Sequence, residues 1–270
     1  MITSSDAQLT HTVLCWAEEA LQQAISARNQ IQSDDLCSKS PGDYVTSCDV
    51  SIEENLCKHI REAFPDHDII AEEGQGFATH TSPYSWYLDP IDGTTNFIRL
   101  ASEYAISIAL YREEQPLLGV VWSKERRYAA DNQGYLLLPE VTVLQKALGL
   151  QDAVLHCGAK TLLLLDRLGG EPLQLLGACG SYRYHGCSSL ELASVAIGGC
   201  DIYLSSSLKS WDYAAARLII EASGAHFMSL QHNDMVLAWR DHALLQQALA
   251  FFPSGLRCEI LHRIEVEEHA

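Results

Sequence analysis

Between Trp86 and Phe97 the chain reads Trp-Tyr-Leu-Asp-Pro-Ile-Asp-Gly-Thr-Thr-Asn-Phe. The apolar run Trp86-Tyr87-Leu88 leads directly into two carboxylates, Asp89 and Asp92, placed three apart around a proline. Gly93, Thr94 and Thr95 follow, and the sequence then turns apolar again. That pattern is a strand, a tight turn and the start of a helix. Any fold this chain adopts must therefore bring a strand end and a helix N-terminus together at Asp89 and Asp92. Paired carboxylates can hold a hard cation such as Mg2+, and free N–H groups at a helix start suit a phosphate. On spacing alone, the same residues also read as a turn whose carboxylates cap the helix.

Neighbouring segments can be read by periodicity. Leu9, Val13, Trp16, Ala20 and Ala24 follow helical spacing. Residues 33–43 are polar and contain Pro41 and Gly42, which predicts a loop. Ser51 with Glu54 has the form of a capping box for a second helix, with Ile52, Leu56 and Ile60 on one face. Ile69-Ile70-Ala71 predicts a short buried strand that delivers Glu72 and Glu73. Segments 105–111, 118–123, 127–130 and 135–138 are β-prone and separated by turn residues, as in an antiparallel meander. Further on, 153–157 and Ile202-Tyr203-Leu204 read as strands and 161–168 as a helix. Ser188 with Glu191 opens another helix, and Trp211-Asp212 begins one that Gly224 ends. The expected division is two lobes. Residues 1–135 carry most of the acidic candidates, and 136–270 carry Asp212 and the substrate pocket.

Composition narrows the function classes. The formal net charge is −17, which disfavours a nucleic-acid backbone or an anionic membrane as partner. Nine scattered cysteines include no Cys-x-x-Cys pair, so the common zinc-ribbon and thioredoxin spacings are excluded. They read as reduced cytosolic thiols, and the expected location is the cytoplasm. No signal peptide and no run of about 18 apolar residues is evident. Gly186-Cys187-Ser188-Ser189 lacks the Gly-x-Ser-x-Gly form of a nucleophile elbow. Ile91 occupies a position that an EF-hand loop fills with an oxygen-bearing side chain.

Glu72, Asp89 and Asp92 thus end predicted strands, while Asp212 opens a helix. Carboxylates delivered in this way, with the Ile91 carbonyl between two of them, can share the oxygen ligands of more than one Mg2+ ion. Two such ions can activate a water and stabilise the leaving oxygen of an in-line displacement.

These residues carry a resemblance. Asp89-Pro-Ile-Asp-Gly-Thr-Thr-Asn-Phe97 is similar to the central signature of the inositol monophosphatase family, the lithium-sensitive, Mg2+-dependent sugar-phosphate phosphatases. Trp211-Asp212 through Gly224 resembles the family's C-terminal signature. Gly42-Asp-Tyr-Val-Thr-Ser-Cys-Asp49 resembles its Asp-x-Val-Thr-x-x-Asp segment. Gly186 through Asp201 resembles a fourth segment, and all four occur in the family's order. The resemblance implies an α/β fold, a layered αβαβα sandwich of the sugar-phosphatase type, and a homodimer. It implies a Mg2+-dependent phosphomonoesterase with two to three ions per site. Glu72, Asp89 and the Ile91 carbonyl would hold the first ion, and Asp89, Asp92 and Asp212 the second. A third would share Glu72. Catalysis would fall to Glu72, Thr94 and Asp49, with the Thr94–Asp49 pair activating the attacking water. Backbone N–H groups of Gly93 and Thr94 would hold the phosphate, and Lys39 matches a lysine on a loop near the metals.

One departure bears on the substrate. Seven residues before Asp212 the inositol phosphatases carry a glutamate that binds inositol hydroxyls, and this chain has Ser205 there. A neutral serine binds hydroxyls more weakly. Gly186, Ser188 and Ser205 are the residues expected to line the leaving-group pocket. The substrate reading is a small phosphorylated polyol or sugar of the inositol-1-phosphate type. A 3′(2′),5′-bisphosphate nucleotidase and a fructose-1,6-bisphosphatase of the same superfamily are the alternatives, as is a catalytically silent regulatory protein on the same fold.

Overall fold

A computed structural model describes residues 6–30, 36–40, 43–79, 81–140, 146–230 and 234–268. In chain order the elements are α1 (Asp6–Arg28), β1 (Leu36–Ser40), β2 (Asp43–Thr46), α2 (Ser47–Ala63), β3 (Asp68–Ala71), β4 (Tyr84–Asp92) and α3 (Thr94–Leu100). A run of strands follows: β5 (Ala105–Arg112), β6 (Gln115–Trp122), β7 (Arg127–Asp131) and β8 (Leu136–Leu137). Then come β9 (Val154–Cys157), α4 (Ala159–Arg167), α5 (Pro172–Ala178), β10 (Ser181–Arg183), α6 (Ser188–Ala196) and β11 (Ile202–Ser206). The chain ends with α7 (Ser210–Ala222), β12 (His226–Leu230), β13 (Met235–Trp239), α8 (His242–Leu249) and α9 (Ser254–Glu268). No helix among the described residues is long and apolar enough to cross a membrane.

The chain forms two compact units. One comprises Met1–Val141, His185–Ile197 and Lys209–Gly224, and the other Thr142–Tyr184, Gly198–Leu208 and Ala225–Ala270. This differs from the expected split at residues 135 and 136. The helix bearing Asp212 belongs with the first unit, because α7 packs on its sheet. Gly119 of β6 lies so close to α7 that an added Cβ would stand 2.3 Å from the Ala215 carbonyl oxygen. Only a residue without a side chain fits there.

The sheet of the first unit has the order β3-β4-β5-β6-β7-β8. β3 and β4 are parallel, and every later pair is antiparallel, which is the expected meander. Alternation along β5 assigns its faces. Ile106, Ile108 and Leu110 join a core with Val13, Ala17 and Leu21 of α1 and Ile52, Leu56 and Ile60 of α2. On the opposite face, Ser107 Oγ donates to the Trp211 carbonyl (3.3 Å) and Tyr111 Oη to the Ala214 carbonyl (2.9 Å). Both faces are thus covered, so β5 reads as a continuous buried run. Asp131 closes the meander: it accepts from the N–H groups of Gln133 and Tyr135 and from Thr10 Oγ1 of α1.

Three local expectations change. α2 begins at Ser47, and its capping box is Thr46 with Asp49, five residues before the predicted Ser51–Glu54 box. Ser51 instead accepts from Gln23 Nε2 of α1. Within the predicted loop 33–43, residues 36–40 form β1, antiparallel to β2, while 33–35 and 41–42 lie outside the described residues. Cys187 occupies the N-cap of α6, and Glu191 turns back to accept from the N–H groups of His185 and Gly186.

The second unit has a mixed sheet, β10-β9-β11-β13-β12, with β11 parallel to β9 and antiparallel to β13. Its core joins Leu155, Ile202, Leu204 and Leu237 to Leu245 and Leu249 of α8 and Ile260 of α9. Cys48, Cys57, Cys157, Cys187 and Cys200 are buried thiols, while Cys15 and Cys258 are exposed.

Candidate active site

Asp89 and Asp92 are three apart, and in a regular strand they would face opposite sides of the sheet. The register prevents that. Asp89 pairs with Ser107 and Asp92 with Ala105, so β4 spends three steps where β5 spends two. The extra residue at Pro90-Ile91 is a bulge, which re-aims one side chain. Ile91 goes into the core at 1% exposure, and its N–H donates to Asp89 Oδ1 at 3.1 Å.

Glu72 arrives from the adjacent strand. The parallel register ends at Ala71 opposite Leu88, and Glu72 N–H donates to the Leu88 carbonyl at 3.2 Å, which places Glu72 beside Asp89. The turn that follows is pinned by a residue of α2. Glu53, fully buried, accepts from Glu73 N–H at 2.7 Å and Gln75 N–H at 2.8 Å. Asp212 lies in the first turn of α7, where Lys209 N–H donates to its Oδ2 at 2.7 Å.

The electrostatics show that these carboxylates share one region. Burial pushes Asp89 well above the usual carboxylate range, and the charges of Glu72, Asp92 and Asp212 push it further. Asp212 is raised to about 7, first by burial and then by Asp92 and Glu72, while Lys209 opposes. Asp92 is also raised by burial, against the hydrogen bonds it receives from Ser189, Cys187 and Ser188. Buried like charges without a counter-charge are costly. The donors assembled here are carboxylate and carbonyl oxygens, the set that a hard cation such as Mg2+ takes. Among the described residues, no three His, Cys, Asp or Glu side chains stand drawn together in ligating geometry. The carboxylates are within electrostatic reach of one another, with the fit resting on their chemistry.

Thr94 and Asp49 meet as the sequence suggests. Thr94 Oγ1 is 3.3 Å from Asp49 Oδ1 and 3.1 Å from the Ile91 carbonyl, and its one proton serves one of them at a time. Asp49 Oδ2 accepts from the Thr46 N–H and hydroxyl, so Oδ1 is the oxygen turned toward Thr94. Burial raises Asp49 to about 6; the Thr46 bonds oppose this, and the Glu73 charge adds to it. Asp49 is therefore both a helix-capping carboxylate and the partner of Thr94.

Gly93 precedes α3 with φ +89°, and a Cβ there would lie 3.0 Å from the Glu103 carbonyl oxygen and 3.1 Å from Cys187 Cβ. Both the dihedral and the space require glycine. Arg28 of α1 donates to the Phe97 and Ile98 carbonyls at 2.6 Å each, which ties down α3. Asn96 Nδ2 donates to the Glu103 carbonyl (2.9 Å) and the His185 carbonyl (2.7 Å). It thereby fixes the 185–188 segment, which carries Gly186 and Ser188, next to the turn. Lys39 lies on β1 at the register irregularity between Ser38 and Ser40. Ser205 belongs to the second unit, half-buried on β11 opposite Val236.

Sequence reasoning overlooked Glu53, the double role of Asn96 and the part Ser189 plays at Asp92. A signal existed for Glu53, since it follows Asp49 by four residues and so shares its helix face.

A sequence profile described as the inositol monophosphatase family matches residues 7–250. The chain belongs to the inositol monophosphatase family. An inositol-1-monophosphatase of Bacillus subtilis is 30% identical over 197 residues, 71% of this chain and 74% of that protein. The Nus factor SuhB of Pasteurella multocida is 32% identical over 207 residues, 74% of this chain and 78% of that protein. A solved structure of an IMPase/NADP phosphatase with Mg2+ and phosphate matches with a TM-score of 0.73 at 23% identity, covering 91% of this chain and 95% of that one. The family's fold, the α/β sandwich expected from the signatures, is therefore the fold of this chain.

Proposed function

We propose that this protein is a Mg2+-dependent phosphomonoesterase acting on a small phosphorylated polyol or sugar of the inositol-1-phosphate type. The observation that carries the reading is Asp89, buried at 2% exposure under the charges of Glu72, Asp92 and Asp212. Such a cluster calls for cations, and its oxygen donors suit Mg2+. Glu72, Asp89 and the Ile91 carbonyl are assigned to one ion and Asp89, Asp92 and Asp212 to a second, with Glu72 shared by a third. When bound, Mg2+ supplies Lewis acidity that lowers the pKa of water and offsets charge on phosphate oxygens.

The chain's own groups do the rest. N–H groups of Gly93 and Thr94 hold phosphate oxygens at the start of α3. The Thr94 hydroxyl orients the attacking water and passes its proton to Asp49, whose pKa of about 6 leaves it ionised at neutral pH and basic enough to accept. Gly186 and Ser188, held by Asn96 and Glu191, are assigned to the leaving-group side. Lys39, on β1, is assigned to the position of the family's lysine near the ions, and the proposed assembly is a homodimer in the cytoplasm.

A second reading comes from the SuhB-named relative, whose name describes a Nus factor. On that reading the fold serves a regulatory partner and turnover is incidental. Phosphate release from a panel of inositol 1-phosphate, fructose 1,6-bisphosphate, adenosine 3′,5′-bisphosphate and histidinol phosphate, with Mg2+ and with or without lithium, separates the two. Turnover of inositol 1-phosphate that lithium suppresses supports the enzyme. Failure to release phosphate from every ester sinks it.

A further inference from the structure

Asp92 has a second task that fixes how it can meet a cation. The first-turn N–H groups of a helix need acceptors, and the N-cap residue of α6, Cys187, supplies no side-chain cap. Asp92 comes from β4 to fill that role. Ser189 N–H donates to Asp92 Oδ2 at 2.6 Å, and Ser188 N–H reaches Oδ1 at 3.3 Å. Two side chains add to this. Ser189 Oγ donates to Oδ2 at 2.6 Å, and Cys187 Sγ lies 3.2 Å from Oδ2 and 3.3 Å from the Asp92 carbonyl oxygen. Cys187 and Ser189 are both fully buried.

The two oxygens of Asp92 are thus unequal. Ser189 alone fills both lone-pair directions of Oδ2 with short bonds, and the thiol crowds it further. Oδ1 carries one long bond. Resting on the metal-site reading above, we propose that Ser189 and Cys187 are positioning residues that lock Oδ2 of Asp92 and leave Oδ1 as the single oxygen offered to a divalent cation. A carboxylate held this way binds through one oxygen and cannot swing to bind through two. Mg2+ takes six ligands in strict octahedral geometry, whereas Ca2+ accepts six to eight and can take a carboxylate through both oxygens. The clamp therefore orients Asp92 and also favours Mg2+ over Ca2+.

The experiment is calorimetric titration of the full chain with Mg2+ and, separately, with Ca2+, in the absence of substrate. Ser189→Ala is expected to weaken Mg2+ binding about 10-fold, the usual loss when a group supporting a metal ligand is removed, and to shift the Mg2+/Ca2+ affinity ratio toward Ca2+. Cys187→Ser keeps a donor and is expected to bind Mg2+ as the parent does. Cys187→Ala loses a weak donor and should weaken binding measurably, by less than Ser189→Ala does; it carries the test if Ser189→Ala melts before titration. Mg2+ binding by the parent, with Ser189→Ala and Cys187→Ala both unchanged within about twofold and an unmoved Mg2+/Ca2+ ratio, overturns the clamp and leaves the metal site standing. A parent protein that binds no Mg2+ overturns the metal-site reading itself.

Discussion

Gly119 gives a quantitative test of how α7, and with it Asp212, is held. An alanine Cβ at this position would lie 2.3 Å from the Ala215 carbonyl oxygen and 3.1 Å from its carbonyl carbon. Comfortable contact needs roughly 3.4 Å, so β6 and α7 would have to separate by about 1 Å. Both offending atoms are backbone, so no rotamer change relieves the clash. Overpacking of this kind costs about 2–3 kcal/mol. At roughly 2–4 °C per kcal/mol for a chain of this size class, Gly119→Ala should lower Tm by about 5–10 °C. Asp212 sits one helical turn before Ala215, so it moves with the displaced helix. A misplacement of about 1 Å should reduce turnover by roughly 100-fold. The assay is thermal unfolding by circular dichroism beside Mg2+-dependent phosphate release. Gly177→Ala, where an added Cβ meets nothing within 4 Å, serves as the control and should stabilise slightly, by about 0.5–1 kcal/mol. A Gly119→Ala protein with parental Tm and parental turnover would refute the argument that close packing of β6 on α7 places Asp212.

The remaining predictions are shorter. Asp89→Asn should abolish turnover while raising Tm in metal-free buffer, because it removes one charge from a mutually repelling set; near-normal turnover would overturn the metal assignment. Glu53→Gln replaces one of the two accepting oxygens with an amide NH2, leaving Glu73 or Gln75 N–H without its acceptor. It should cost about 1–3 kcal/mol and weaken Mg2+ binding through Glu72, as read from urea melts and calorimetry. Glu191 is raised from its ordinary 4.5 to about 7 by burial, against the N–H bonds of His185 and Gly186. Its folded pKa exceeds the unfolded one, so its contribution is fully present below about pH 4.5 and is lost as pH rises through 7. Urea melts in metal-free buffer should therefore show stability falling from pH 5 to pH 8, with a shallower fall in Glu191→Gln. Equal slopes would show that Glu191 does not titrate in this range.

Much of the fold was legible because its signals are local. Helical spacing marked α1, the turn residues marked the meander, and Gly224 marked the end of α7 at φ +78°. The misreadings also have local causes. Ser51–Glu54 satisfied the capping-box pattern as well as Thr46–Asp49 did, and only the pairing of β1 with β2 ahead of α2 set which box was used. The polar stretch 36–40 lacks strand periodicity, and its strand exists through a partner strand. Asp212 looked like a residue of a C-terminal lobe because sequence distance hides that α7 returns to the first sheet, where Gly119 and Ala215 meet.

The sequence by itself determined the chemistry on offer: which carboxylates exist, that two of them flank a proline at a strand end, and that a glycine opens the helix after them. These follow from residue type and short-range spacing. The tertiary structure decided what those residues do. The bulge turned Asp89 and Asp92 to one side, Glu53 held the turn bearing Glu72, and α7 brought Asp212 across the sheet. Ser189 then divided the two oxygens of Asp92. Each of these is a contact between residues distant in the chain, fixed by strand register and close packing, and so has no signature in any short stretch of sequence.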